Sequence, residues 1–293
     1  MRELWTASVS AVALALCSAS LAAAPTAFTA TYRASGSGAA CDTTYGISGA
    51  EPNDGAKHPV FIYVVGTVEI YYNAQAMAAV NSMAAKGFVA ATVEYHNEIF
   101  GGCNEIKQKA ACIFKPASRE SAVSKLCARG DCSKGIVVGG FSQGAIIATL
   151  ARNTDSRVRA AFGMGAMNTY GNYNLAACMD SGKHKLSSKY LRIVNGERDI
   201  YAFYQPSRVR AASIAVTGKR CDSFAYSCLN PNGSGWVMVR NSQVRDRSAD
   251  HCFQRASGDC DGKQDILDAN WKSGRASWTL SANLNWLKTF ARP

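Results

Sequence analysis

Ser142 lies between two glycines in the string GGFSQGA, and its hydroxyl is the first candidate for chemistry in this chain. An apolar run at 136–138 precedes the string, and a second at 146–151 follows it. Gly-x-Ser-x-Gly between a strand and a helix is the nucleophile-elbow pattern, in which a sharp turn exposes the serine Oγ. Side chains two residues away would collide in such a turn, so the pattern requires Gly140 and Gly144. The flanking elements favour this interpretation over an incidental serine in a tight turn.

A nucleophilic serine needs a histidine as general base and a carboxylate to orient that histidine. The chain has four histidines: His58, His96, His184 and His251. In enzymes with this elbow the acid and then the histidine follow the serine along the chain, which excludes the first two as the base. We predict His251, because it comes after the last strand signal, where a loop histidine is expected. We interpret His184 as a surface residue.

Asp199 is the predicted acid. It follows the apolar run at 190–194 in the string NGERD, so a strand would deliver its carboxylate to the same sheet edge as the serine. Glu197, two residues earlier, is the alternative. Asp250 neighbours His251, but adjacent side chains on an extended chain point apart, and we interpret Asp250 as a surface residue.

Two backbone N–H groups are candidates for binding an oxyanion. The N–H of Gln143 lies at the start of the helix after the serine, where N–H groups have no intrahelical partner. The N–H of Thr67 lies in the loop after the strand at 60–65, the usual source of a second donor. Tyr71 and Tyr72 are predicted to line a substrate pocket, with core packing as the alternative. His96, at the end of its strand, is a further pocket-lining candidate.

The elements that must position these residues alternate along the chain. Apolar runs predict strands at 60–65, 88–93, 136–138, 158–162, 190–194 and 236–239, and helical spacing predicts helices at 73–86, 117–128, 145–152 and 278–290. Nearly pure apolar strands are typical of a sheet buried on both faces. Strand-helix alternation predicts a mostly parallel sheet with helices on both faces. A loop is predicted around Cys103 and Cys112, and the pattern is irregular after Tyr201.

The first 24 residues have the features of a secretory signal peptide: a short polar start, an apolar run and small residues up to Ala24. Residues 25–293 are then predicted to form one domain that is secreted, either extracellular or periplasmic. No later segment approaches the ~18 apolar residues of a membrane-spanning helix, so we predict no transmembrane segment.

Ten cysteines remain after residue 24, and in an oxidising compartment they predict up to five disulfides. Short separations favour the pairs Cys127/Cys132, Cys221/Cys228, Cys252/Cys260 and Cys103/Cys112, which leaves Cys41 with Cys178; spacing alone does not fix this connectivity. The bridge at 221–228 would staple an insertion before the last strand. The chain has no Cys-x-x-Cys pair and few histidines, so the sequence does not indicate a zinc site.

The formal net charge is +11. Lys and Arg are scattered rather than gathered into a basic stripe, which argues against specific nucleic-acid binding. A solvated basic face is the favoured interpretation, and attraction to an anionic surface or polymer is the second.

The elbow and its partners resemble the α/β-hydrolase superfamily over roughly 59–290, and GFSQGA is similar to the elbow of cutinases and related carboxylesterases. The resemblance implies an α/β-hydrolase fold and cofactor-free hydrolysis of a small or polymeric carboxylic ester. It also implies a triad of Ser142, Asp199 and His251. The chain is longer than a compact cutinase, and its cysteine-rich region at 221–260 departs from that pattern. The alternatives are another acyl substrate, such as a peptide, or a non-catalytic binding protein.

Overall fold

A computed structural model describes residues 24–34, 41–116, 120–256, 260 and 266–292. The predicted signal peptide, 1–24, lies outside the described residues except for Ala24. Within the described ranges, none of the helices combines the length and the apolar character needed to cross a membrane.

The structure contains strands and helices in alternation. The strands are β1 (Thr26–Tyr32), β2 (Tyr45–Glu51), β3 (Val60–Val64), β4 (Val89–Val93), β5 (Ile136–Phe141), β6 (Val158–Met164), β7 (Thr169–Tyr170), β8 (Tyr173–Asn174), β9 (Leu191–Gly196), β10 (Ser227–Leu229) and β11 (Gly235–Val239). The helices are α1 (Ala74–Ala84), α2 (Cys103–Phe114), α3 (Ala122–Arg129), α4 (Gln143–Thr154), α5 (Ala176–Met179), α6 (Pro206–Thr217), α7 (Ala269–Ser273) and α8 (Leu280–Lys288).

Nine strands form one mixed sheet in the order β1-β2-β4-β3-β5-β6-β9-β11-β10. The six strands from β4 to β11 in this order are parallel to one another, while β1, β2 and β10 pair antiparallel at the two ends. β3, β4, β5 and β11 are buried at every residue, which explains their almost entirely apolar sequences. β7 and β8 form a separate two-stranded sheet.

Helices cover both faces of the sheet. α1 contacts α8 in one layer, and α4 contacts α2 and α5 in the other, where α5 also contacts α6. The predicted fold class, an α/β-hydrolase fold with a mostly parallel sheet between two helical layers, is confirmed. Parallel order brings the carboxyl ends of β3, β5, β9 and β11 to one edge of the sheet. Thr67, Ser142, Asp199 and His251 follow these four ends in that order.

Several elements were absent from the sequence prediction: the short β7, β8, β10, α5 and α7, and the longer β1, β2, α2 and α6. β1 and β2 are rich in Thr, Ala and Gly, and β1 alternates between exposed and partly buried positions, so neither shows an apolar run. α2 occupies the predicted loop, and its buried Ile106, Ala110 and Ile113 recur at helical spacing. α6 has the expected terminal residues, Pro206 in its first turn and Gly218 with φ 68° at its end.

Three of the five predicted disulfides are confirmed: Cys127–Cys132, Cys221–Cys228 and Cys252–Cys260. The pairs Cys103/Cys112 and Cys41/Cys178 are wrong, because the bridges are Cys41–Cys112 and Cys103–Cys178, with Cα–Cα distances of 5.4 and 5.8 Å. Both Cys103 and Cys112 lie on α2. Nine residues of helix separate their Cα atoms by roughly 13 Å, beyond the ~7 Å that a disulfide spans.

Candidate active site

The turn between β5 and α4 holds Ser142 in a strained backbone conformation, with φ 52° and ψ −121°. Such a conformation costs a non-glycine residue roughly 1–3 kcal/mol, and the Ser142 N–H donates to Met164 O at 2.8 Å. A Cβ added to Gly140 would lie 2.3 Å from Gly144 O, and one added to Gly144 would lie 2.1 Å from Val64 O. The tight packing of α4 against β3 and β5 therefore admits only glycine at these two positions.

Asp199 and His251 form a buried hydrogen bond. Asp199 follows β9 and begins a short turn, in which its Oδ1 accepts a hydrogen bond from Tyr201 N–H at 2.9 Å. Its Oδ2 accepts a hydrogen bond from His251 Nδ1 at 2.6 Å, and both side chains are almost fully buried. Gly165, with φ 62°, lies under the ring: a Cβ there would be 2.6 Å from His251 Cε1. The carboxylate thus fixes both the tautomer and the orientation of the imidazole.

One cavity of about 420 Å³ brings Ser142 and His251 together. It is lined by Thr67, Val68, Glu69, Phe141, Ser142, Tyr201, His251, Cys252, Arg255 and Cys260. Within the described part of the chain, His251 Nε2 is buried and has no hydrogen-bond partner. Two cavities of about 630 Å³ lie elsewhere and contain none of the predicted site residues, so chemistry rather than size distinguishes this one.

Thr67 and Gln143, the predicted oxyanion donors, are hydrogen-bonded to each other through their side chains: Gln143 Nε2 donates to Thr67 Oγ1 at 3.0 Å. Neither backbone N–H donates a hydrogen bond to any described residue. Gln143 Oε1 in turn accepts from Lys109 Nζ at 2.9 Å. Burial lowers the pKa of Lys109 to about 8. This buried lysine was missed from sequence, although it falls on the apolar face of α2.

Glu69 and Arg255 form a buried ion pair beside the cavity, and neither was predicted as a site residue. Glu69 Oε2 also accepts a hydrogen bond from Gly66 N–H at 2.6 Å. Burial raises the pKa of Glu69, while the charge of Arg255 opposes that rise. No sequence signal joins two residues 186 positions apart. Only the fold brings them together.

Tyr71, Tyr72 and His96, the predicted pocket-lining residues, do not line this cavity. The Tyr71 hydroxyl packs against Gly46 of β2, and its ring lies 5.0 Å from the exposed ring of Tyr72. The His96 side chain is 39% exposed and lies 3.6 Å from Glu98. Tyr71 thus packs against β2, and the cavity at Ser142 is lined by other residues.

His184 is buried, so its interpretation as a surface residue is wrong. Its Nδ1 lies 3.0 Å from Leu186 O and its Nε2 lies 3.1 Å from Val216 O. Both ring nitrogens are therefore occupied by backbone carbonyls. This histidine stabilises the packing of the segment before β9 against α6.

The other carboxylates considered for the acid have different partners. Glu197 Oε1 accepts a hydrogen bond from Asn241 N–H at 2.5 Å. Asp250 Oδ1 accepts from Cys252 N–H at 2.8 Å, and burial raises the pKa of Asp250 to about 6. The carboxylate that contacts His251 Nδ1 is that of Asp199.

Comparisons with known proteins give structural similarity alone. No protein-family model matches this chain, and no curated protein matches it. A Xanthomonas campestris protein described as an α/β serine hydrolase without a lid aligns with TM-score 0.46 and 11% identity, over 73% of this chain and 83% of that one. A hypothetical protein from Pseudomonas aeruginosa aligns with TM-score 0.36 and 17% identity, over 55% of this chain and 47% of its own length. Neither similarity identifies a substrate or a site residue here.

Proposed function

We propose that this chain is a secreted serine hydrolase that cleaves carboxylic esters with Ser142 as nucleophile, His251 as general base and Asp199 as the orienting acid. The observation that carries the proposal is the 2.6 Å contact between His251 Nδ1 and Asp199, which leaves Nε2 unpartnered at the cavity that Ser142 lines. The strained Ser142 backbone supports it, because such strain is concentrated at functional sites.

The proposed mechanism follows from these positions. Ser142 Oγ attacks the ester carbonyl carbon while its proton passes to His251 Nε2, and Asp199 stabilises the resulting imidazolium. The oxyanion accepts hydrogen bonds from the Thr67 and Gln143 N–H groups. The carbon–oxygen bond to the alcohol then breaks, and His251 returns the proton to that alcohol. Water repeats the sequence on the acyl-enzyme and releases the acid.

Secretion and ester specificity are parts of the proposal with separate support. Five disulfides fit an oxidising compartment outside the cytosol. An ester is the favoured substrate because its alkoxide leaving group departs with less proton assistance than an amine. The same groups could act on another acyl substrate such as a peptide, and matched ester and amide substrates distinguish the two.

Turnover of p-nitrophenyl butyrate by the wild type and by Ser142→Ala tests the proposal. We expect the substitution to abolish turnover above background, whereas Ser207→Ala, a change at an exposed serine of α6, leaves it unchanged. Undiminished turnover by Ser142→Ala would refute the assignment. Ligand binding without turnover by the wild type would favour a binding protein.

A further inference from the structure

We infer that Glu69 and Arg255 act as a positioning pair, which fixes the Thr67 N–H as an oxyanion donor and holds its loop against the loop that carries His251. This inference rests on the proposed function, because an oxyanion donor has a role only if Ser142 attacks an acyl group. Neither residue of the pair donates a proton to the substrate in this account. Each acts through the backbone that it holds.

Glu69 closes the loop after β3 onto itself. Its Oε2 accepts the Gly66 N–H at 2.6 Å, while its Oε1 pairs with Arg255. The Gly66 N–H is thereby occupied, and the next N–H along the chain, that of Thr67, donates no hydrogen bond to a described residue. The carboxylate therefore selects which N–H of the loop is available for an oxyanion.

Arg255 connects this loop to the segment that carries the base. It follows His251 by four residues and lies between the two cysteines of the Cys252–Cys260 bridge. Its Nη2 pairs with Glu69 and its Nη1 donates to Cys260 O at 2.7 Å, so the planar guanidinium spans both segments. The side chains of Glu69 and Arg255 are each 3% exposed, so water does not screen the pair.

Asn97 braces the same loop from the side of β4. Its Nδ2 donates to Gly66 O and Glu69 O, each at 2.8 Å, and its backbone carbonyl accepts from Val68 N–H at 3.1 Å. Val68 has φ 54°, which is rare for a β-branched residue. A strained backbone conformation persists only where the surrounding contacts hold it in place. The Glu69 and Asn97 contacts provide that restraint.

The expected effect is on the rate of the chemical step. Loss of one oxyanion donor lowers kcat about 10²- to 10³-fold, and a displacement of ~1 Å costs about 10²-fold. Removing one partner of a buried ion pair also destabilises the fold, because the remaining charge is left without its counterion, so the stability of each variant is measured separately. We expect Glu69→Gln to lower kcat about 10- to 100-fold. KM should change less than about threefold, because the oxyanion contact forms only in the transition state.

The test compares Glu69→Gln and Arg255→Lys with a matched control, Asp155→Asn. Asp155 is also a buried carboxylate that accepts a backbone N–H and pairs with an arginine, Arg157. It lies past the far end of α4, about 20 Å along the helix from Ser142. Turnover of p-nitrophenyl butyrate is measured per active site. Active sites are titrated by the p-nitrophenol released when an irreversible p-nitrophenyl phosphate triester has reacted to completion, and folding is checked by thermal unfolding.

We expect both pair variants to lose kcat per titrated site with KM nearly constant, and Asp155→Asn to retain both values. Arg255→Lys keeps the positive charge but loses the planar guanidinium that contacts both segments, so it tests the pair even if Glu69→Gln does not fold. Wild-type kcat per active site in a folded pair variant, or a loss of turnover fully explained by fewer active sites, would overturn this inference and leave the proposed function intact. A wild type without ester turnover would overturn the proposed function, and this inference with it.

Discussion

Asp199→Asn is the substitution whose effect the geometry predicts most fully. Asp199 makes two contacts: Oδ1 accepts Tyr201 N–H at 2.9 Å, and Oδ2 accepts from His251 Nδ1 at 2.6 Å. Asparagine has one oxygen and one NH₂ group. If its oxygen keeps the Tyr201 contact, its NH₂ faces Nδ1, which must then accept a hydrogen bond. The proton moves to Nε2, and His251 can no longer accept the proton of Ser142.

The opposite orientation of the introduced amide is less stable, because it places NH₂ against the Tyr201 N–H and loses a capping contact of about 1 kcal/mol. The wrong tautomer therefore dominates. The equivalent change in a Ser-His-Asp enzyme lowers kcat about 10⁴-fold, which corresponds to about 5.4 kcal/mol of transition-state stabilisation. We expect a loss of about 10³- to 10⁴-fold here.

The assay is steady-state hydrolysis of p-nitrophenyl butyrate near pH 7.5 by Asp199→Asn and by a control, Asp131→Asn. Asp131 also begins a short turn and accepts a backbone N–H, from Ser133 at 2.9 Å, but its carboxylate contacts no histidine ring among the described residues. We expect the control to retain wild-type kcat. A loss below about 10-fold in a folded Asp199→Asn variant would refute the assignment of this carboxylate, because an orienting acid contributes far more.

Three further predictions concern the surroundings of the site. Gly144→Ala should destabilise the protein by about 2–4 kcal/mol in urea unfolding, since its Cβ would lie 2.1 Å from a carbonyl oxygen of β3. A loss below about 1 kcal/mol would contradict this, because it would show that α4 can shift away from β3. Asp250→Asn should stabilise the protein more at pH 8 than at pH 4. Burial raises the pKa of this carboxyl from 3.8 to about 6, so its ionisation lowers the stability of the native state as the pH rises through that range. Equal gains in stability at both pH values would contradict this. Replacing the Cys252–Cys260 disulfide by two serines should lower the free energy of unfolding by about 2–3 kcal/mol and also lower kcat. The same change at Cys221–Cys228, which closes a loop of similar length, should lower stability by a similar amount and leave kcat unchanged.

The central part of the fold could be predicted because its strands are buried on both faces. Their largely apolar sequences marked each strand, and the glycine spacing around Ser142 marked the turn. β1, by contrast, lies at a sheet end and alternates between exposed and partly buried positions, so its small and polar residues resemble a loop. α2 was missed because its apolar residues are interleaved with polar ones, although their spacing is helical.

Contacts between distant segments could not be predicted from sequence. The pairing of Cys41 with Cys112 depends on the helical geometry of α2, which separates Cys112 from Cys103. Glu69 and Arg255 form a buried ion pair only because the β3 loop and the loop after β11 end at the same sheet edge. Local patterns indicate elements and their order, whereas side-chain partners across the site depend on three-dimensional packing.

Activation of Ser142 by His251 can be measured without knowing the substrate. The folded protein is labelled with a fluorophosphonate, and the adduct is located by peptide mass spectrometry. We predict one adduct, on Ser142, that forms at least about 100-fold more slowly in His251→Ala, since a general base contributes at least that factor. An adduct on another residue, or labelling of Ser142 at an unchanged rate without His251, would contradict the proposed activation of Ser142 by His251.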